Sequence, residues 1–381
     1  MSRTRSWAGD AASHRAVIIV AKIGSSSLTD ASGVIDAHAI GKLCTEVGGL
    51  RGRGHKVVVV TSGAIAAGRP ALGMAGVRPT DLATLQAISA VGQSRLMRVY
   101  DDALATSGLV GGQVLLTPLD FHPAHRKQYL HARQTLTRLL ELGVVPVVNE
   151  NDAIADDEIR FGDNDRLAAL VANMVDAAVL VLLTDTPGML TADPRLDADA
   201  SLIEEIIEVD HELERVAGAS GSDRGSGGMA SKLAAAKIAA WSGVRAVIAA
   251  ADRPGVLADA VNGEAGVGTV VRPHDRRLPA RKLWIAFAVG SSGTVLVDEG
   301  AQRALVERNT SLLPAGVVGV DGTFDADDAV EIADRGGKVF AKGLVRHPSQ
   351  RVAEWGGRRT SDLPPDLPHE VVHRDDLVVL P

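Results

Sequence analysis

The chain has 381 residues, of which 40 are Lys or Arg and 47 are Asp or Glu, so its formal net charge is −7, and 46% of its residues are hydrophobic. This composition excludes disordered and collagen-like chains, and the negative balance disfavours a partner that is a polyanion. At roughly 100–200 residues per domain, the length predicts two or three packed domains.

The N-terminal segment is polar, and residues 1–14 are predicted to form a disordered arm. It lacks the apolar run of roughly 7–15 residues that marks a secretion signal, and no later segment reaches the roughly 18 apolar residues that span a membrane. The single cysteine, Cys44, is interpreted as a small buried hydrophobe rather than a disulfide or zinc ligand. These features predict a cytoplasmic protein without a membrane contact.

Strand and helix patterns alternate along the first two thirds of the chain. Strands are predicted at residues 17–21, 56–60, 109–116, 144–148, 179–183 and 245–250. Helices are predicted between most of them, near residues 36–50, 81–105, 124–142, 164–176 and 230–242, with Asp36 as the N-cap of the first. This alternation predicts an α/β fold, a three-layer αβα sandwich around a mainly parallel sheet.

The pattern changes after Ala250. Residues 251–282 are rich in turn residues and show no long helical period, so a linker is predicted at residues 276–283, between a domain at 15–275 and a second at 284–381. Short β-branched runs at residues 294–297, 317–320, 329–332 and 339–344 predict that the second domain is a small all-β module.

Five loops follow predicted strands or open predicted helices, where open parallel sheets bind their ligands. They are AKIGSSSLT with Lys22, VVTSGAIAAGR with Ser62, VVNENDAIADDEIRFGDNDRLAA with Asp152, Asn164 and Asp165, LLTDTPGMLTADPR with Thr184 and Asp185, and RGSGGMASK with Lys232. Each loop taken alone also fits an ordinary strand exit, helix cap or surface linker. Together they offer lysines, backbone amides and carboxylates at one edge of a sheet.

Several familiar sites are absent from the sequence. There is no G-x-x-x-x-G-K-[ST] motif, no G-x-G-x-x-G after the first strand and no G-x-S-x-G elbow, which disfavours P-loop nucleotidases, dinucleotide-dependent dehydrogenases and α/β hydrolases. The spacing of His122, His125 and His131 matches no recognised zinc pattern. Phosphoryl transfer remains favoured, because it needs positioning and positive charge rather than a protein nucleophile.

The loops, taken in order, resemble the amino acid kinase family and within it the glutamate 5-kinases. NEND followed by GDND and then by GGMxxK is specific to that pattern, and the resemblance extends from about Arg15 to Leu380. It implies ATP-dependent phosphorylation of the γ-carboxylate of L-glutamate to L-glutamyl 5-phosphate, the first step of proline biosynthesis, with Mg²⁺ accompanying ATP and proline as a feedback inhibitor. It also implies a homo-oligomer, a dimer or a tetramer.

The resemblance also implies roles for individual residues. Lys22, Lys232 and Asp165 are the implied catalytic residues, with Asp165 orienting the two lysines, and no protein residue is assigned as a metal ligand. Ser62, Asp152 and Asn164 match glutamate-binding positions, and Asp152 is expected to pair with the substrate ammonium group. The implied ATP-binding residues are Lys22, Thr184, Asp185, Ser226, Gly227, Gly228, Met229, Ala230, Ser231 and Lys232.

Two alternatives stay open. The C-terminal module, which ends in VVHRDDLVVL, resembles a PUA domain, a type found in RNA-modifying enzymes, but residues 281–381 contain 12 basic and 15 acidic residues, so RNA binding is not expected. Within the enzyme class, the acceptor could instead be aspartate, acetylglutamate, carbamate or a nucleoside monophosphate.

Overall fold

The computed structural model describes residues 16–30, 32–77, 79–122, 125–154, 164–193, 197, 199–219, 228–275, 277–364 and 367–380. The chain divides into two compact units, Met1–Arg277 and Leu278–Pro381. Each unit has its own sheet and its own apolar core. The predicted N-terminal arm, residues 1–14, lies outside the described residues.

An eight-stranded sheet runs through the described part of the first unit. Its strands are β1 (Ile18–Ile23), β2 (Lys56–Thr61), β3 (Gly111–Leu116), β4 (Val145–Glu150), β5 (Val179–Thr184), β6 (Glu205–Ile206), β7 (Arg245–Ala250) and β8 (Thr269–Val271). Their order across the sheet is β3-β4-β2-β1-β5-β7-β8-β6, and every pairing is parallel except that of β7 with β8.

The central strands consist largely of Val, Ile and Leu because both of their faces are covered. In β4 and β5 all six residues are buried, and in β1 and β2 five of six are. The predicted mainly parallel α/β sheet is confirmed. The short β6 and the antiparallel β8 were not predicted, since runs of two or three residues give no detectable period.

Helices cover both faces of this sheet. They are α1 (Ser25–Leu28), α2 (Ala37–Gly52), α3 (Ala64–Gly68), α4 (Leu82–Ala105), α5 (Arg126–Glu141), α6 (Asn164–Met174), α7 (His211–Ala219), α8 (Met229–Trp241) and α9 (Val256–Asn262). Ile19 and Ala21 of β1 pack into one core with Leu43 of α2 and Leu96 of α4. Lys22, which alternates with them, contacts α6, so α6 covers the opposite face.

Helices α2 and α4 each begin at an acidic N-cap. Asp36 accepts a hydrogen bond from the backbone N–H of His38 at 2.8 Å, and Asp81 accepts one from Thr84 at 2.9 Å. The predicted cap at Asp36 is therefore confirmed. Among the described residues, no helix has the length and apolar character needed to cross a membrane.

The second unit contains a five-stranded sheet of the order β10-β9-β11-β12-β13. Its strands are β9 (Gly293–Val297), β10 (Val317–Gly322), β11 (Ala329–Ala333), β12 (Val339–Val345) and β13 (Val372–Val379), and its helices include α10 (Ala280–Leu283), α11 (Glu299–Arg308) and α12 (Ser349–Trp355). The unit is β-rich as predicted, but the prediction of an all-β module is wrong. Helix α11 buries only Leu305 fully, so its sequence carries almost no apolar period.

Candidate active site

A buried carboxylate lies between two buried ammonium groups at the centre of the first unit. Asp165 is fully buried; its Oδ1 contacts Lys22 Nζ, and its Oδ2 lies 3.3 Å from Lys232 Nζ. The hydroxyl of Ser231 donates to the same Oδ2 at 3.1 Å. The three predicted catalytic residues are thus brought into one contact cluster.

The charges in this cluster explain how a carboxylate stays ionised in the interior. Burial by itself raises the pKa of Asp165, but the attraction of Lys22 and Lys232 outweighs it, and the net shift is downward. Two ammonium groups and one carboxylate leave one net positive charge in a nearly dry site. Such a site attracts an anion more strongly than the same charges would in water.

Three elements converge to form the cluster. Lys22 lies in the central strand β1, Asp165 is the second residue of α6, and Lys232 lies in the first turn of α8. A Cβ atom at Gly24 would lie 3.3 Å from Lys22 Nζ, so the small residue after the strand leaves room for the ammonium group. The fold therefore brings the ammonium groups of both lysines to the same carboxylate.

A second polar network lies beside the cluster, because Asn164 precedes Asp165 on α6. The Asn164 side chain donates from Nδ2 to Ser62 Oγ at 2.9 Å and accepts from the backbone N–H of Glu150 at 3.2 Å. The same N–H reaches Asn149 Oδ1 at 2.9 Å. Two of the predicted acceptor-binding residues, Ser62 and Asn164, are thus in direct contact.

Asp152, the third predicted acceptor-binding residue, contacts neither of them. It begins a short turn after β4, and its Oδ2 accepts a hydrogen bond from Ser89 Oγ of α4 at 3.1 Å. Burial raises the pKa of Asp152, and the hydrogen bond from Ser89 lowers it in part. Asp152 is therefore a half-buried carboxylate whose hydrogen-bond partner among the described residues is a neutral hydroxyl, and an ammonium group on a ligand would complement it.

Thr184 and Asp185 follow strand β5. The hydroxyl of Thr184 donates to Asp185 Oδ1 at 3.2 Å. Both residues line a cavity of about 400 Å³ that also reaches Ser27, Lys42 and Asp252.

The N-terminus of α8 offers backbone amides to a ligand. Gly228 is its N-cap and supplies no side-chain hydrogen bond, and Met229, Ala230 and Ser231 precede Lys232 in the first turn. The first N–H groups of a helix lack partners inside the helix and bind anions readily. The predicted residues Ser226 and Gly227 lie outside the described residues.

Helix α4 contributes residues to which the sequence analysis assigned no role. Ser89 and Gln93 lie one turn apart and hold Asp152 and Asn149, respectively. Gly92, between them, allows α4 to approach α3: a Cβ atom there would lie 1.8 Å from the backbone oxygen of Ala64. In the sequence these residues lie in the segment LQAISAVGQSRLM, which also follows the glutamate 5-kinase pattern but indicates no contact with the site loops.

Cys44 takes no part in the site. It is fully buried in α2, and burial raises its pKa to about 12, so the thiol stays protonated at neutral pH.

Comparison with known proteins shows the family to which the chain belongs. The amino acid kinase family model matches residues 17–250, and the PUA domain model matches residues 293–364. Two relatives named glutamate 5-kinase, from Pelobacter propionicus and Geobacter sp. strain M21, are 44% and 45% identical over 366 residues, which cover 95% of this chain and 97% of each relative. Among solved structures, the UMP kinase from Bacillus anthracis is 15% identical with a TM-score of 0.47, covering 68% of this chain and 97% of that one. Because one family model matches more than half of the chain and the relatives match nearly all of it, the chain belongs to the amino acid kinase family, in its glutamate 5-kinase branch, and carries a PUA domain.

Proposed function

We propose that this chain transfers the γ-phosphoryl group of ATP to the γ-carboxylate of L-glutamate and so forms L-glutamyl 5-phosphate. The observation that carries the proposal is the juxtaposition on α6: Asn164 joins the network of Ser62, while its neighbour Asp165 holds Lys22 and Lys232. The polar network that would bind the acceptor and the positively charged cluster therefore meet at two consecutive residues of α6. The name of the similar relatives, glutamate 5-kinase, supports the same reaction.

In the proposed reaction, an oxygen of the γ-carboxylate attacks the γ-phosphorus of ATP. The bond between that phosphorus and the bridging oxygen breaks, and ADP leaves with the electron pair. An unperturbed glutamate carboxyl has a pKa of about 4.3, so the acceptor is ionised at neutral pH and no general base is needed. The chain's task is to hold two anions together, and the ammonium groups of Lys22 and Lys232 supply the compensating charge.

The proposed acceptor-binding residues contact different groups of the substrate. Asp152 pairs with the ammonium group of glutamate, since its half-buried carboxylate accepts a hydrogen bond from the Ser89 hydroxyl and meets no cation among the described residues. Ser62 and Asn164 lie on the side of the lysine cluster and contact the γ-carboxylate end. This assignment orients the acceptor with its reactive carboxylate towards Lys22.

The proposed ATP site uses the other side of the cluster. The amides of the first turn of α8 and the two lysines receive the phosphates, while Thr184 and Asp185 lie on the nucleoside side. Mg²⁺ would enter on the triphosphate: the described residues gather no three His, Cys, Asp or Glu side chains that could hold a metal, and Mg²⁺ commonly binds through phosphates and water. It would neutralise phosphate charge during transfer.

A hydroxamate assay tests the acceptor. The protein with ATP and Mg²⁺ is incubated with hydroxylamine and one of glutamate, aspartate or N-acetylglutamate, because hydroxylamine traps an acyl phosphate as a coloured hydroxamate. We expect product with glutamate and little with the other two. Product from aspartate or N-acetylglutamate alone would refute the proposed substrate.

The resemblance also supports a wider proposal about regulation and assembly. We propose that the reaction begins proline biosynthesis, that proline inhibits it by competing at the glutamate site, and that the chain forms a homo-oligomer. Proline should then raise the apparent KM for glutamate without lowering kcat, and light scattering should report a dimer or tetramer.

We assign residues 15–275 to catalysis, 276–283 to a linker and 284–381 to the PUA-like part without RNA binding.

A further inference from the structure

Gln93 presents a buried hydrogen-bond donor that the described residues do not satisfy. The residue lies on α4 and is only 8% exposed. Its Oε1 accepts a hydrogen bond from Asn149 Nδ2 at 2.9 Å, whereas its Nε2 is buried and has no partner in the described part of the chain. A buried amide donor without an acceptor destabilises a protein, so such a group in a polar site needs an acceptor atom from a water or a ligand.

The orientation of the Gln93 amide follows from its neighbours. Asn149 Oδ1 already accepts the backbone N–H of Glu150 at 2.9 Å, so Asn149 must turn its NH₂ group towards Gln93. Gln93 must therefore meet that NH₂ group with its oxygen. Both N–H groups of its own amide nitrogen stay available for an acceptor atom.

The surroundings of Gln93 belong to the acceptor network. Asn149, through the shared N–H of Glu150, adjoins Asn164 and then Ser62. One turn earlier on the same face of α4, Ser89 donates to Asp152. Adjacent turns of α4 therefore position both groups. Ser89 holds the carboxylate of Asp152, which is proposed to bind the substrate ammonium group, and Gln93 carries the free amide donor.

We propose that Gln93 Nε2 donates a hydrogen bond to the α-carboxylate of the bound acceptor and so selects α-amino acids; this rests on the proposed function. The ammonium and α-carboxylate groups of an amino acid share one carbon atom, and Asp152 and Gln93 present a matching acid and donor on neighbouring turns. A neutral amide binds a carboxylate here without adding a cation that would compete with the substrate ammonium group for Asp152.

The test compares glutamate with isoglutamine, which keeps the ammonium group and γ-carboxylate but has an amide in place of the α-carboxylate. Two variants are used. Gln93→Glu keeps the oxygen that Asn149 needs, removes the donor and places a negative charge against the α-carboxylate, whereas the neutral Gln93→Met removes both the oxygen and the donor. Gln113→Met, on an exposed position of β3, serves as the control.

We expect each Gln93 variant to lower kcat/KM for glutamate by about 10- to 100-fold, mainly through KM, which is the range for a hydrogen bond to a charged group. The kcat/KM for isoglutamine should change less than threefold, so the preference for glutamate over isoglutamine should be largely lost. The rise in melting temperature that glutamate causes should shrink in both variants, while that caused by ATP persists.

Equal losses on both acceptors, or an unchanged preference, would overturn the role of Gln93. If the wild-type protein forms no hydroxamate from glutamate, the proposed function fails instead, and the two failures are thus distinguishable. Gln93→Glu separates binding from folding, because it retains the contact with Asn149.

Discussion

Lys232 is the residue whose contribution to catalysis is easiest to separate from its contribution to stability. Its ammonium group is buried against Asp165 Oδ2, but Asp165 also contacts Lys22 and therefore keeps a counter-charge when Lys232 is removed. The first turn of α8 would remain intact, since its backbone hydrogen bonds do not involve this side chain.

For Lys232→Ala we expect kcat to fall by about 10²–10³-fold, because positive charge near the transferred phosphoryl group is lost, while the melting temperature falls by only a few degrees. Steady-state kinetics and thermal unfolding measure the two effects. Lys237→Ala is the control: Lys237 lies on the same helix and pairs with Glu214 at 2.8 Å, away from Asp165. A fully active Lys232→Ala would contradict the assigned role.

Asp152 gives the acceptor site a pH dependence. Its carboxylate must be ionised to pair with an ammonium group, and burial raises its pKa above the ordinary value of 3.8. As the pH falls through this raised pKa, the ionised fraction declines, so kcat/KM for glutamate should fall at a higher pH than an exposed aspartate would cause.

Substitutions at Asp152 and at its hydrogen-bond partner Ser89 test whether Asp152 sets this pH dependence. Ser89→Ala removes the hydrogen bond that lowers the pKa of Asp152, so the acid limb of the kcat/KM profile should move to higher pH. Asp152→Asn should give a low value of kcat/KM whose acid limb moves to lower pH, where only the γ-carboxylate of glutamate, with a pKa of about 4.3, is still titrating. An acid limb that stays in place in both variants would show that another group controls it.

At the scale of elements, the contact between α3 and α4 positions the acceptor network. Gly63, with a φ of 104°, turns the chain from Ser62 into α3, and α3 meets α4 almost backbone to backbone. A side chain at Gly68 would lie 2.1 Å from the backbone oxygen of Ile88. The two helices therefore hold Ser62 on one side, and Ser89 and Gln93 on the other, at a fixed separation.

Gly92→Ala tests this contact. The added methyl group would overlap the backbone of α3, and we expect a loss of about 2 kcal/mol or more in the free energy of unfolding together with a higher KM for glutamate. Gly41→Ala is the matched control, because Gly41 lies in α2 with nothing within 4 Å of its would-be Cβ. It should stabilise the protein by roughly 0.5–1 kcal/mol, as expected for Gly to Ala in a helix. Equal effects at both positions would contradict the packing argument.

At the scale of the whole molecule, the described site residues all belong to the first unit. The core of the second unit is separate and contains Val295, Leu305, Ile332 and Val352. A chain shortened after Arg277 should therefore fold and form γ-glutamyl hydroxamate at a rate within about tenfold of the full chain. Circular dichroism and the hydroxamate assay measure both properties, and a folded but inactive first unit would assign the second unit a part in catalysis.

The sequence by itself determined the regular elements and the kinds of residues at the site. Long runs such as those of β2 and β5 and the cap at Asp36 depend on local periodicity and local hydrogen bonds, which can be recognised in the sequence alone. The resemblance in the loops gave the family, and the family comparison confirmed it. The short strands β6 and β8 lacked enough residues for a period, and α11 buries too few apolar residues to show one.

Only the tertiary structure decided which residues meet. Asp165 lies 67 residues from Lys232, and nothing local in the sequence specifies that one carboxylate separates the two lysines. The roles of Ser89, Gly92 and Gln93 also depended on the fold, because a helix reveals which face it turns inward but not which strand end that face will meet. Burial then changed the chemistry, since the pKa values of Asp165 and Asp152 move in opposite directions according to whether lysines or a hydroxyl surround the carboxylate.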